Sequence, residues 1–353
     1  MDSNERLTTL VNLYSEKRYG EAERLARQLT AECPQNQQVW TILCAALKNA
    51  GKIHEALIMH NATVEKFPND AIAHFNLGLM LKETRKKEKA KSSYKKAIAL
   101  KPDFVEAHYN LGNIYREEHQ SDKAEISYKT ATKLKPDHFR AQYNLGITLQ
   151  NLGKFNEAVL SYEKVLELNP DYAEAYYNLG VTLEELDQSI RAESSYRAAI
   201  NSKPDHIGAH NNLSVILTKQ GRFDEAESNL LHIIKLKPEN SRAHCNLGVV
   251  LHEKGHFKQA ELSYIRAIEL NASYVEAYYR HGVTLRCLRR LNEAEISFRK
   301  AIALNPDYIG PHESLGGLLL ETNRHSEGLE EKQKGGGFIS FDVTDRWLLK
   351  GRP

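Results

Sequence analysis

This chain of 353 residues is short of several things, and each shortage excludes a class of protein. Its four cysteines (Cys33, Cys44, Cys245 and Cys287) form no CxxC pair, which argues against a zinc cage or disulfide framework and suits a reducing compartment. Net charge is scarce as well: 48 Lys and Arg against 46 Asp and Glu leave +2, too little to drive binding to nucleic acid or an anionic membrane. No run approaches the ~18 apolar residues of a membrane span, and the opening Met1-Asp2-Ser3-Asn4-Glu5-Arg6 has no apolar leader. A cytoplasmic location is expected. No P-loop, GxGxxG turn or nucleophile elbow occurs, so neither an enzyme nor a cofactor is expected. What remains is 41% hydrophobic and 27% charged, suited to a soluble chain with a buried core.

The organisation lies in spacing. Pro34, Pro68, Pro102, Pro136, Pro170, Pro204 and Pro238 recur every 34 residues, and Pro306 falls two periods later. Ala22, Ala56, Ala90, Ala124, Ala158, Ala192, Ala226, Ala260 and Ala294 keep the same beat. So do the small residues Gly78, Gly112, Gly146, Gly180, Ser214, Gly248, Gly282 and Gly316. Three ladders with one period predict a solenoid. With Ala71 as position 1, Leu falls at 7, Gly at 8, Ala at 20, Tyr at 24, Ala at 27 and Pro at 32.

Within a period such as Ala173–Leu183, apolar residues recur at helical spacing, giving a first helix with one buried stripe. Gly180 and Ala192 are expected where the two antiparallel helices approach most closely, and Pro170 ends a second helix for want of an N–H. Asp171…Glu174, Asp103…Glu106 and Ser273…Glu276 have capping-box spacing.

These residue types at these offsets resemble the tetratricopeptide repeat, over nearly the whole chain. The resemblance implies an all-α, right-handed superhelix of helix pairs with the first helices lining the inner surface. The expected units are 3–36, 37–70, 71–104, 105–138, 139–172, 173–206, 207–240, 241–274 and 275–308, with a partial tenth at 309–334. Leu10 replaces glycine in the first unit and Lys332 replaces the aromatic in the last, as suits terminal repeats. Residues 335–353 are a Gly-rich linker and short tail. Within it Phe338–Val343 reads as a strand, either folded over the last repeat or a vestige of a further domain.

Two motifs invite over-reading. His252-Glu-Lys-Gly-His256 matches HExxH, but Gly255 occupies the position where first helix turns into second, so the histidines are not expected on one helix and no metal site is predicted. His74, His108, His210, His244 and His312 share position 4 and stand in for a packing aromatic. The basic run Arg85, Lys86, Lys87, Lys89, Lys91, Lys95 and Lys96 reads first as a solvated outer face, with a nuclear signal or anion patch as the alternative.

Position 6 carries the functional expectation. Asn76, Asn110, Asn144, Asn178, Asn212 and Asn246 repeat there over six units, although Asn costs about 0.6 kcal/mol relative to Ala inside a helix. An amide offers a donor and an acceptor to a peptide backbone without reading its side chains. Helices about 8–10 Å apart and a chain advancing about 3.3 Å per residue would place one Asn at roughly every third residue of an extended guest. The competing reading is that Asn braces the adjacent helix. Position 5 adds Phe75, Tyr109, Tyr143, Tyr177 and Tyr279, for packing between repeats or for ligand contact. Arg280 takes position 6 near the C-terminal end, with Arg286 beyond it, as a candidate for an acidic group.

Ala-His-Tyr-Asn-Leu-Gly (Ala107 to Gly112) and its relatives are most similar to the repeats of the protein O-GlcNAc transferase family. That resemblance implies an asparagine ladder gripping the backbone of a protein segment, mapped onto the six asparagines above. It breaks at Arg280 and Ser314, and no transferase domain follows in this chain. Another use of the tetratricopeptide-repeat family, the clamp for chaperone C-terminal tails, needs Lys at position 5 and Asn at position 9 of its first repeat. From Ala71 onward position 5 holds no Lys and position 9 has Asn only at Asn113. The expectation is therefore a non-catalytic adaptor for an extended protein segment, without nucleic acid, membrane or cofactor. The alternative is a targeting module for a glycosyltransferase acting in trans.

Overall fold

The computed structural model describes residues 3–336, 338–341 and 347–350. Its helices fall into two compact units divided between Pro170 and Asp171. The first holds α1 (Ser3–Ser15), α2 (Tyr19–Glu32), α3 (Gln37–Asn49), α4 (Ile53–Lys66), α5 (Ala71–Glu83), α6 (Lys87–Leu100), α7 (Val105–Glu117), α8 (Ser121–Leu134), α9 (Phe139–Asn151) and α10 (Phe155–Leu168). The second holds α11 (Ala173–Glu185), α12 (Ser189–Ser202), α13 (Ile207–Lys219), α14 (Phe223–Leu236), α15 (Ser241–Glu253), α16 (Phe257–Leu270), α17 (Val275–Cys287), α18 (Leu291–Leu304), α19 (Ile309–Glu321) and α20 (His325–Lys334). Inside each unit a helix packs on its neighbours in sequence, and α1, α13, α15 and α17 also touch the next first helix. That nearest-neighbour pattern is an all-α solenoid of consecutive repeats.

In six of the ten pairs the core is a ring wedged against a glycine. Tyr94, Tyr128, Tyr162, Tyr196, Tyr264 and Phe298, all at position 24, are fully buried. A Cβ built on Gly180 would lie 2.6 Å from the Tyr196 ring, and one on Gly248 would lie 2.6 Å from Tyr264. In those six pairs position 8 is therefore small to admit a ring, whereas in the last pair, with Lys332 in place of the ring, a Cβ on Gly316 would lie 2.8 Å from the Gly328 carbonyl and the two backbones do approach closely. The turn between paired helices passes through a left-handed residue at position 15. Gly51, Gly153, Gly221 and Gly255 take it with φ of 70–79°, whereas Lys17, Arg85, His119, Asp187, Arg289 and Asn323 adopt it at φ of 57–62° and bear the Cβ strain.

The capping-box expectation fails. The first helices begin one residue later than it requires, so Phe104, Tyr172 and Tyr274 are the N-caps, and none makes a side-chain cap. Asn36, Asp70 and Asn240 at the same position do accept first-turn N–H groups, as do the His138 and His206 rings.

The solvent side of the second helices carries a recurring charge cluster. A basic residue at position 16 reaches back to the position-21 Glu of the preceding repeat: Lys52 to Glu23 at 2.9 Å, Lys154 to Glu125, Arg222 to Glu193 and Arg324 to Glu295 each at 2.7 Å. In four repeats it also pairs with a Glu three residues on, as in Arg18–Glu21, Arg222–Glu225, Arg290–Glu293 and Arg324–Glu327.

After α20 comes an antiparallel hairpin, β1 (Phe338–Phe341) on β2 (Trp347–Lys350), with Phe338 opposite Lys350 and Phe341 opposite Trp347. β1 lies against α20. The strand expected over 338–343 is thus found for its first four residues and gains a partner strand that was not foreseen. Asp342 and Val343 lie outside the described residues.

Candidate functional site

Helices α13, α15 and α17 lie side by side, and the face they share is grooved. A recess of about 430 Å³ is walled by Val215 and Lys219 of α13, Asn246, Val249 and Glu253 of α15, and Glu276 and Arg280 of α17. These are positions 2, 6, 9 and 13 of three successive repeats, a set that points to one side of each first helix. Cys245 also borders it, and burial pushes its thiol up to about 12, so it stays protonated and unreactive at neutral pH. In the first unit a smaller recess of about 280 Å³ lies between α3 and α5, with Asn76, Thr41 and Lys48 on its walls. His60 borders it, and burial lowers that ring to about 4, leaving it neutral.

The position-6 asparagines do not share one environment. The Asn246 Nδ2 is buried without an acceptor, and Asn76 makes no hydrogen bond among the described residues. Asn110 donates from Nδ2 to the Glu106 carbonyl one turn back at 2.8 Å. Asn144 donates to Asn113 Oδ1 of the preceding repeat at 2.9 Å, and that oxygen also accepts from the Tyr128 hydroxyl at 2.7 Å. Asn212 is engaged at both ends, donating to the Tyr196 hydroxyl at 3.1 Å and accepting from Arg242 at 3.2 Å. Asn178 is half-buried and has partners of its own.

The position-5 rings pack on the position-24 ring of their own repeat, and two of them also on the histidine that ends it. Tyr109 sits 6.1 Å from Tyr128 and 4.9 Å from His138, and Tyr177 sits 6.0 Å from Tyr196 and 4.8 Å from His206. The Tyr143 ring lies tilted against Tyr162, with centroids 6.1 Å apart. All three stay half-buried, with part of the ring exposed. Arg280 bonds to Glu276 at 2.6 Å and lies over the Tyr279 ring. Glu276 also accepts from the Tyr308 hydroxyl, and Arg286 turns away to Glu321. Arg280 and Arg286 therefore do not converge on one site. His252 lies in the last turn of α15 and His256 is the N-cap of α16, so the HExxH histidines belong to different helices. His252 is bonded to Thr284.

Sequence reasoning missed Asn113, the acceptor that ties Tyr128 to Asn144. It also missed the work of position 4. His74, His108, His210, His244 and His312 donate from Nε2 to the carbonyls of Pro68, Pro102, Pro204, Pro238 and Pro306, each at 2.9 Å. Trp40 and Gln142 do the same to Pro34 and Pro136. An N–H donor six residues after a proline was the available signal, because the carbonyl beyond a helix end needs a partner.

Models described as tetratricopeptide repeat match residues 105–138, 173–206, 207–240, 241–274 and 275–308, and one described as TPR repeat matches 86–118 and 151–187. Together the matches span more than half of the chain. No curated protein matches it. Among solved structures, the C-terminal part of a TPR repeat-containing protein from Cytophaga hutchinsonii is 17% identical, with a TM-score of 0.59, covering 68% of this chain and 99% of that one. A tetratricopeptide repeat protein from Parabacteroides merdae is 19% identical, with a TM-score of 0.53, covering 71% and 98%. YrrB, described as a TPR protein with an unusual peptide-binding site, is 23% identical, with a TM-score of 0.47, covering 52% and 95%. The first two likenesses are of fold. Among the described residues no helix is long and apolar enough to cross a membrane.

Proposed function

Since the chain belongs to the tetratricopeptide-repeat family, we propose that it is a non-catalytic adaptor that holds an extended protein segment along the grooved face of its first helices. One observation carries the reading: the Asn246 amide borders the α13–α15–α17 recess with its Nδ2 unpaired. A buried donor without an acceptor costs about 1–3 kcal/mol, which a carbonyl brought in by a guest recovers. The terminal torsion of Asn is soft, so the amide can turn toward the recess. Asn76 plays the same part in the first unit. Asn110 and Asn144 spend their N–H groups within the fold and offer Oδ1 to guest N–H groups, while Asn212 braces its neighbours. Tyr109, Tyr143 and Tyr177 contribute ring edges, and Arg280 with Glu276 sets the polar wall. Four free thiols fit a reducing, cytoplasmic setting. A substrate-targeting role beside a glycosyltransferase rests on the sequence resemblance alone; sugar-nucleotide activity that copurifies with the intact chain would support it.

The test is a partner segment selected from a displayed peptide library, with affinity and melting temperature measured for wild type and Asn246→Ala. The variant should bind about tenfold more weakly, equivalent to about 1.4 kcal/mol, and melt no lower, because it removes an unpaired donor. Unchanged affinity would count against the reading.

A further inference from the structure

Lys86 breaks the charge pattern of the second helices. Elsewhere the basic residue at position 16 meets a Glu at position 21 of the preceding repeat, a Glu three residues on, or both. Here the first of those carboxylates is replaced by Leu57 and the second by Lys89. Two lysines thus border one recess where the scaffold otherwise sets a basic residue between two carboxylates, and neither lysine has an ion pair among the described residues. The adjacent Glu88 is turned to Lys91 at 2.7 Å, and Lys87 is paired with Glu117 at 2.7 Å.

Both lysines border a recess of about 250 Å³ between α4, α5 and α6, to which no carboxylate contributes. Its apolar wall is Leu57, Leu77 and Leu81, and its remaining polar wall includes Ser92 and Ser93. Ser93 is nine-tenths buried. Its counterparts Ser127, Ser161 and Ser195 donate to the carbonyls of Lys123, Glu157 and Arg191 one turn back. Ser93 makes no such bond, so its hydroxyl is unspent. The recess also lies at the start of the 14-residue α6, whose first-turn amides have no side-chain cap and add positive potential.

We infer that this recess binds a phosphomonoester: the dianion takes the place of the two missing carboxylates between Lys86 and Lys89, the serine hydroxyls donate to its oxygens, and its carbon portion lies on the three leucines. The site is separate from the groove, and its test does not depend on the partner segment.

Calorimetric titration of the intact chain at constant ionic strength, with phenyl phosphate, inorganic phosphate and sodium chloride, reads it out. Phenyl phosphate should bind, inorganic phosphate several-fold more weakly, and chloride not measurably. Lys89→Glu recreates the arrangement of Arg18 with Glu21 and should keep the melting temperature while lowering affinity by about tenfold or more. Ser93→Ala should weaken binding several-fold. A Gly-phosphotyrosine-Gly peptide that binds as well as phenyl phosphate assigns the ligand to a protein side chain; binding of phenyl phosphate alone assigns it to a small molecule. Equal affinity in wild type and Lys89→Glu, or phenyl phosphate no better than chloride, overturns the site, and inorganic phosphate binding as tightly as phenyl phosphate overturns its apolar half.

Discussion

Gly248→Ser will lower the stability of the chain by roughly 2 kcal/mol, and adding Tyr264→Leu will restore most of the loss. The serine Cβ would lie 2.6–2.8 Å from three atoms of the Tyr264 ring, which is itself almost fully buried. Helix propensity favours Ser over Gly by a few tenths of a kcal/mol, too little to offset the clash. The chain already holds the compensated version one repeat earlier, where Ser214 at position 8 faces Leu230 at position 24. Leu10 with Ala26 and Cys44 with His60 follow the same rule: a Cβ at position 8 comes without a six-membered ring at position 24. Tyr264→Leu alone should cost about 2 kcal/mol by leaving a cavity. Denaturant unfolding of both single variants and the double variant gives the coupling. Additive losses would mean that the ring and the glycine do not constrain each other.

The second large effect is electrostatic. Burial works to raise the Glu125 carboxyl, and hydrogen bonds from Lys129 and Lys154 outweigh it, holding the carboxyl below its ordinary range. That contribution is complete above the unfolded value near pH 4.3 and is lost as pH falls through the lower folded value. Lys129→Met with Lys154→Met keeps the aliphatic stems but leaves burial unopposed, so the carboxyl should rise above its unfolded value. The variant should then be roughly 2 kcal/mol less stable at pH 7, a figure below that of a fully buried pair because both lysines are half-exposed. The deficit should begin to shrink as pH falls through the unfolded value and vanish only below the lowered folded value, where the carboxyl is protonated in both states. The lost Lys129–Glu157 pair is exposed and worth little. Urea unfolding at pH 7 and pH 3 checks this; a deficit of constant size would mean that lost packing, and not charge, was responsible.

The repeat was legible because a solenoid writes each packing constraint once per period, so Gly78 through Gly316 and Ala22 through Ala294 announce the helix pairs directly. The reason for the glycines was not. Position 8 is read correctly only together with position 24, a pairing 16 residues apart on a different helix. The helix starts were missed by one residue because Asp103 and Asp171 mimic caps, while the real cap sites are filled by Phe104 and Tyr172, which make no side-chain cap; the Phe104 ring packs on Phe75 instead. The ladder was legible as a list of residues but not as a set of environments. Asn144 and Asn246 share a position and a neighbourhood in sequence. Asn144 finds its acceptor in Asn113 at position 9 of the preceding repeat, whereas Asn246 meets Val215 there and its Nδ2 takes no other acceptor.

Backbone recognition is tested most directly by the guest itself. A bound segment should be scanned twice, once by replacing each residue with alanine and once by N-methylating each amide, with affinity measured against the intact chain. Recognition through the asparagines predicts losses of about tenfold on N-methylation, recurring at roughly every third residue, with smaller effects from alanine. Losses confined to alanine replacement, with N-methylation silent throughout, would contradict it.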